Sequence, residues 1–390
     1  MSSHFIDIGH MSLNKHGEEL CGDQVFLTET DDRTVIMVLA DGLGSGVKAC
    51  ILSTLTAKII ATMISQSMSI EDCVSTIAAT LPVCEERGIA YSTFTIIKMS
   101  PGLHTEIIQY DNPLVIVLRN GKNLELPLDV MEIEGKYIYR SKLKAKKNDM
   151  FVSISDGVEH AGVGKTLNLG WRRDNIITFL EKRKADRMAA KAVTTVLLEE
   201  CKRLYQSEPG DDTTVCTIKV RSREPVGLLI GPAQDPADDT RMMRRFFGRP
   251  GKHIVCGGTS AGIAARHLGR ELLAECDYPD PEIPPIGRIK GVDLVTEGVI
   301  TISRVLDYAR DHLKNNSRYY EWCFQKDGAS RIARMLFEEA TDIDFFVGRA
   351  INPAHQNPDL PINFSIKMRL VDELAACLKK MGKDITVSHY

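Results

Sequence analysis

Apolar and polar positions alternate on two different grammars along this chain, and the change falls near residues 221–224. Before it, helical spacing without internal Pro predicts helices over 44–66, 70–81, 172–183 and 187–205. Between the two helix pairs lies a block of short apolar or alternating runs, predicting strands over 91–97, 105–110, 114–118 and 150–155, with an Asn120-Gly121 turn. Strands grouped apart from helices predict an α+β domain of antiparallel sheets with helices outside.

After the polar break RSREP, strand and helix patterns take turns. Strands are expected over 226–230, 253–256, 292–296, 343–347 and 385–388. Helices are expected over 238–247, 259–274, 299–313, 329–340 and 368–381. Such alternation predicts an α/β, doubly wound, mostly parallel sheet of the Rossmann-like kind. The expected organisation is therefore two domains, residues 1–222 and 223–390. Neither contains an internal repeat or a low-complexity segment.

Composition changes this picture little. The 390 residues are 43% hydrophobic and 26% charged with a net charge of −3, so neither nucleic acid nor a membrane surface is an expected partner. No window is expected to approach a membrane span, because Lys, Ser and Thr interrupt even residues 51–64. The stretch MSSHFIDIGHMSLNKHGEE has neither the basic nor the apolar region of a signal peptide. Ten scattered cysteines without a Cys-x-x-Cys pair suit free thiols, and the expected location is cytoplasmic.

The candidate chemistry lies in carboxylates at strand ends. Residues 34–46, TVIMVLADGLGSG, form a nearly continuous apolar run that stops at Asp41-Gly42. An Asp there carries a charge that needs a partner, and no Gly-Lys-Ser/Thr follows to make a phosphate loop, so a cation is the expected partner. The pattern returns in FVSISDG at Asp156, in GDDTTV at Asp211 and Asp212, and in CGDQVF at Asp23. Four such sites in one domain, brought together, would repel one another without cations. All-oxygen ligation selects hard ions such as Mg²⁺ or Mn²⁺. Two ions sharing a carboxylate activate a water for in-line attack on phosphorus, so the expected reaction is metal-assisted phosphoester hydrolysis.

The order Gly-Asp, Ala-Asp-Gly-Leu-Gly-Ser-Gly, Ser-Asp-Gly, Gly-Asp-Asp-Thr-Thr-Val resembles the PPM metal-dependent serine/threonine phosphatases, over about residues 1–220. The branch it is most similar to is that of the bacterial phosphatases like sporulation stage II protein E. The resemblance implies an α-β-β-α sandwich with a two-metal cleft at one edge, holding two Mn²⁺ or Mg²⁺ ions, and a phosphorylated protein as substrate. It implies that Asp41 bridges both ions, that Asp23 and the Gly42 carbonyl serve one, and that Asp156 and Asp211 serve the other. Asp212 falls beside them as a candidate supporting residue. It also implies a regulatory role for the helix pair over 44–81. The sequence departs from the eukaryotic members at Leu43, where they carry a His, and it lacks their phosphate-clamping Arg before Asp23. The proton donor and phosphate clamp are therefore unassigned. His10, His16, His160 and Lys15 read as solvated surface residues, and Ser45 as the cap or entry of the following helix.

In the second domain KHIVCGGTSAGI is a strand, a glycine turn and a helix start, where free N–H groups and a Thr259 or Ser260 cap make a candidate anion site. Gly257, Gly258, Thr259, Ser260 and Gly262 form its core. Arg349, with Asn352 and His355 in the loop beyond it, is expected on the same sheet edge. The expected ligand is a small anion or nucleotide, and Cys256 is either a thiolate at the helix start or a buried thiol. Two functions follow: a phosphoserine/phosphothreonine phosphatase of bacterial signalling controlled by its C-terminal domain, or a catalytically idle metal-binding module fused to a small-molecule-binding sensor domain.

Overall fold

The strand Val35–Gly42 is apolar at every position from Val35 to Ala40 because it is buried on both faces. Ile36, Val38 and Ala40 pack against the helices Gly46–Ser65 and Ile70–Thr80, while Met37 and Leu39 point the other way into a core shared with Val117, Phe151, Cys216 and Ile218. Those latter residues belong to a second sheet. Its outer face, with Ile116, Leu118, Val152 and Ile154, packs against the helices Arg173–Lys182 and Ala190–Leu204. Period-two alternation within continuous apolar strands thus builds four layers: helices, sheet, sheet, helices.

This computed structural model describes residues 4–80, 92–274, 282–350 and 362–390. The chain divides into one unit of Ile6–Arg221 and another of Ser222–Tyr390 with Met1–Phe5. In the first unit, one sheet has the order Asp23–Glu29, Val35–Gly42, Ser92–Ser100, His104–Tyr110, Lys136–Lys144, Asp129–Ile133, every neighbour antiparallel. The other has the order His4–Leu13, Thr213–Ser222, Met150–Ile154, Ile116–Arg119, Lys122–Asn123. Asn120 and Gly121, both at positive φ (53° and 73°), make the expected two-residue hairpin turn.

The hairpin of Asp129–Ile133 and Lys136–Lys144 is not among the expected strands; it is a half-exposed pair at the sheet edge whose polar positions hide the strand pattern. The Gly46–Ser65 helix is, by length and composition alone, apolar enough to cross a membrane, contrary to the expectation that no window approaches a span. Its Lys, Ser and Thr do not dilute the apolar content sufficiently. It packs as a core helix, burying Ala49, Leu52, Ala57, Ile60, Ala61 and Ile64.

The second unit holds a seven-stranded sheet. Pro225–Ile230 is central and parallel to both its neighbours. The chain first steps to one side, through Lys252–Cys256 and Leu294–Thr296, and then to the other, through Asp342–Val347 and Asp384–His389, all in parallel. Short antiparallel strands, Gly287–Arg288 and Leu273–Ala274, close one edge. Leu228, Ile254 and Phe345 are fully buried. So is Leu229, which, with Val255 and Val295 on the opposite face, packs on the helices Asp239–Phe247 and Gly258–Leu268. Burial on both faces explains the β-branched and aromatic runs. The helix expected over 259–274 ends at Leu268, because Gly269 adopts the left-handed conformation (φ 63°) that terminates helices. The helix expected over 329–340 is an α-helical Gly328–Ala333 continued by a π-helical turn, Arg334–Glu339. Among the described residues all cysteines are free thiols.

Candidate metal centre

Asp23 opens one strand and Asp41 ends the next, and the antiparallel register sets them directly opposite each other. The Gly42 N–H donates to the Gly22 carbonyl at 3.2 Å, and the Ser92 hydroxyl donates to the Asp41 carbonyl at 2.9 Å, which fixes the end of the strand. In the other sheet Ile154 pairs with Val215, and the Ser155 N–H donates to the Thr214 carbonyl at 3.0 Å. Asp156, Asp211 and Asp212 therefore come to the same end of that sheet. Asp156 starts the short helix Asp156–Glu159, and its side chain is 47% exposed.

The electrostatics tie these ends together. Asp23 is 2% exposed, and neither carboxylate oxygen accepts a well-formed hydrogen bond. Burial pushes its carboxyl up to about 6, with Asp212 and Asp156 adding to the shift and the nearby Ser155 and Thr214 hydroxyls opposing it. Asp41 is pushed up to about 9, first by burial and then by the charges of Asp23, Asp156 and Asp211. Asp211 is raised by burial and by Asp156, and lowered by the Asp212 N–H and by Lys15. Asp41 thus feels Asp23, Asp156 and Asp211, and Asp156 in turn acts on Asp23 and Asp211. They do not form a closed cage: among the described residues no three His, Cys, Asp or Glu side chains stand grouped as metal ligands.

Asp212 differs from the other four. Its two carboxylate oxygens accept the backbone N–H groups of Lys15, at 3.0 Å, and Gly22, at 2.9 Å. It is a buried tie that holds the 15–22 loop and so places Asp23, and its own N–H donates to Asp211 Oδ1 at 3.0 Å. Glycine is required twice for close approach. A Cβ on Gly42 would stand 2.3 Å from the Ala49 carbonyl oxygen, and one on Gly157 would stand 2.1 Å from the Asp212 carbonyl oxygen.

Sequence reasoning missed several supports. The Tyr205 hydroxyl donates to the Gly157 carbonyl at 2.7 Å, and Ser155 Oγ accepts the Thr214 N–H at 2.9 Å. The Thr-Thr of GDDTTV was the available signal for the second contact; Tyr205 gave none. Ser45 sits at the N-cap of the Gly46–Ser65 helix but makes no side-chain cap; its hydroxyl donates to Glu18 at 3.0 Å instead. His160 lies 3.8 Å from Asp156, with both side chains about half exposed.

In the second unit Gly257 (φ +106°) caps the Gly258–Leu268 helix, Gly258 and Thr259 are exposed, Ser260 is buried, and a Cβ on Gly262 would lie 3.7 Å from Arg266 Nη1. Cys256 is not a thiolate: complete burial pushes its thiol up to about 12. Arg349 is exposed after Asp342–Val347, two strands away from Lys252–Cys256 in the sheet order. Asn352 and His355 lie outside the described residues.

Residues 31–221 match the family model of stage II sporulation protein E (SpoIIE). Among solved structures, the phosphatase domain of the cell-fate determinant SpoIIE from Bacillus subtilis is similar over 58% of this chain and 96% of its own, at 18% identity and a TM-score of 0.43. The RsbU and RsbW domains of a Mycobacterium tuberculosis protein are similar over 83% of this chain and 78% of their own, at 13% identity and a TM-score of 0.46. RsbX in complex with magnesium is similar over 56% of this chain and 97% of its own, at 20% identity and a TM-score of 0.39. No curated protein matches the chain. Four carboxylates stand at the meeting ends of two sheets, three of them within the matched span, and residues 31–221 thus resemble the SpoIIE family in sequence while carrying this acidic site.

Proposed function

We propose that this protein hydrolyses phosphoserine and phosphothreonine esters in protein substrates, in bacterial signalling, with two Mn²⁺ or Mg²⁺ ions held by Asp23, Asp41, the Gly42 carbonyl, Asp156 and Asp211. The observation that carries this reading is the buried Asp23 carboxylate, which accepts no well-formed hydrogen bond, set opposite an Asp41 whose carboxyl is driven up to about 9. Such a pair is costly alone and fits hard cations, which take carboxylate and carbonyl oxygens. Bound divalent cations would supply charge neutralisation and an acidified water for attack on phosphorus.

The chain's own residues do the rest. Asp212 fixes the loop that carries Asp23, Ser92 fixes the end of the strand that carries Asp41, and the glycines at 42 and 157 let neighbouring backbone close over the site. Lys15, whose charge already acts on Asp211, is assigned to hold a substrate phosphate oxygen. The second unit is read as the control element of the phosphatase, since its described residues carry no counterpart of the four-Asp arrangement. An assay of the full chain on several phosphoproteins, with Mn²⁺, with Mg²⁺ and with EDTA, tests this. Metal-dependent turnover that EDTA abolishes is expected; inactivity across a range of Mn²⁺ concentrations, with Mn²⁺ still bound, would favour the idle metal-binding module.

A further inference from the structure

Three helices of the second unit begin beside one another at the carboxyl end of its parallel strands, each with a small hydroxyl residue three positions after its cap. Gly257 leads into Gly258–Leu268 with Ser260; Gly298 leads into Val299–Lys314 with Thr301; Asp327 leads into Gly328–Ala333 with Ser330. A Cβ on Gly298 would lie 3.6 Å from the Cα of Gly257, and one on Gly328 would lie 3.6 Å from Thr301 Cγ2. The Gly257 N–H donates to the Thr296 carbonyl at 2.8 Å. The first N–H groups of a helix have no carbonyl one turn back, so the two long helices bring free donors and positive dipole ends together. In the short third helix the Asp327 carboxylate already takes the Ser330 N–H, at 2.9 Å, so that helix adds no donor.

Independent of the helix starts, several buried polar side chains here lack partners. Ser260 is 1% exposed and Thr301 is 0% exposed, and neither hydroxyl makes a hydrogen bond. Ser260 Oγ stands 3.6 Å from where a Cβ of Gly257 would lie, so it faces back toward the glycine turn. Glu297, between Thr296 and Gly298, likewise keeps a buried Oε2 without a donor. The Ser330 hydroxyl at the third helix start is unpartnered as well; buried polar groups are ordinarily satisfied, and four unsatisfied ones at one sheet edge point to a missing partner. Over the turn there is room: among the described residues a Cβ on Gly258 would meet nothing within 4 Å.

We infer that this turn binds a small phosphorylated polyol, the ribose-phosphate portion of a nucleotide or a free sugar phosphate. The phosphate oxygens accept the N–H groups at the start of Gly258–Leu268, and a polyol hydroxyl donates to Glu297. The carboxylate sets the class: it accepts from a sugar hydroxyl that inorganic phosphate does not carry, which favours an ester over inorganic phosphate. This inference concerns the second unit and does not depend on the phosphatase reading.

Isothermal titration of the full chain in EDTA, with ribose 5-phosphate, adenosine 5′-monophosphate, inorganic phosphate and ribose, tests it. Saturable one-to-one binding of at least one ester, tighter than phosphate and with no ribose binding, is expected; the ester that binds identifies the source. Gly258→Glu places an acid at a helix start, in open space, where the dipole favours it, so folding is kept while ester affinity falls at least about tenfold. Glu297→Gln should shrink the preference for ester over phosphate, and Asp41→Asn should leave ester binding unchanged. No saturable ester binding, or ester binding untouched by Gly258→Glu, would overturn the inference.

Discussion

Asp23 and Asp41 stand directly opposite each other on neighbouring antiparallel strands, and the buried carboxylate of Asp23 accepts no well-formed hydrogen bond. Two like charges at paired positions are destabilising in an ordinary sheet. Here burial and that juxtaposition push both carboxyls above the ordinary carboxylate range.

Replacing Asp41 with Asn is therefore expected to act in opposite directions on activity and on metal-free stability. Turnover should fall by about 100-fold or more, since Asp41 faces Asp23, Asp156 and Asp211 together. Melting of the variant in EDTA at neutral pH should occur above that of the parent, because the parent must hold the Asp41 carboxyl protonated far above its ordinary range while Asn need not. Near-normal turnover would show that Asp41 is not a shared ligand.

The same charges predict how stability follows pH. The Asp41 carboxyl, at about 9, and that of Asp23, at about 6, lie above the ordinary carboxylate range, so the folded metal-free protein holds more protons than the unfolded chain. Stability in EDTA should then fall as pH rises from the ordinary carboxylate range toward 9. Mn²⁺ should raise the melting temperature more at pH 8 than at pH 5.5, because binding releases fewer protons there. Differential scanning fluorimetry across that range, with and without Mn²⁺, reads both trends; a metal effect that grows toward low pH would contradict the ligand set.

Asp212→Ala should behave unlike Asp41→Asn. It strands the N–H groups of Lys15 and Gly22, so urea unfolding should show a loss of about 2–4 kcal/mol whether or not metal is present. A variant as stable as the parent would show that the tie is dispensable.

Gly42→Ala forces a methyl to within 2.3 Å of the Ala49 carbonyl oxygen. The start of the Gly46–Ser65 helix must shift, at a cost of about 1–3 kcal/mol, and Mn²⁺ affinity should drop with it. Titration of Mn²⁺ by calorimetry separates this from simple unfolding.

Lys15→Ala tests the substrate contact. If its ammonium holds a phosphate oxygen equally in ground and transition states, KM should rise about fivefold or more while kcat stays within about twofold. An unchanged KM would leave the phosphate without this partner.

The sequence by itself determined where the strands end in carboxylates, because an apolar run that stops at Asp-Gly is legible from residue type alone, as at Asp41 and Asp156. It also determined the change from grouped strands to alternating strand and helix near Arg221, since the two periodicities are local. Only the tertiary structure decided which carboxylates stand exposed to one another and which is tied off. Asp211 and Asp212 are adjacent in the chain, yet Asp212 spends both oxygens on the N–H groups of Lys15 and Gly22, nearly two hundred residues away. No local pattern encodes that pairing. The same holds for Ser260, Thr301 and Glu297, unremarkable in sequence. Their unpartnered oxygens gather at one turn because parallel strands deliver successive helix starts to the same sheet edge.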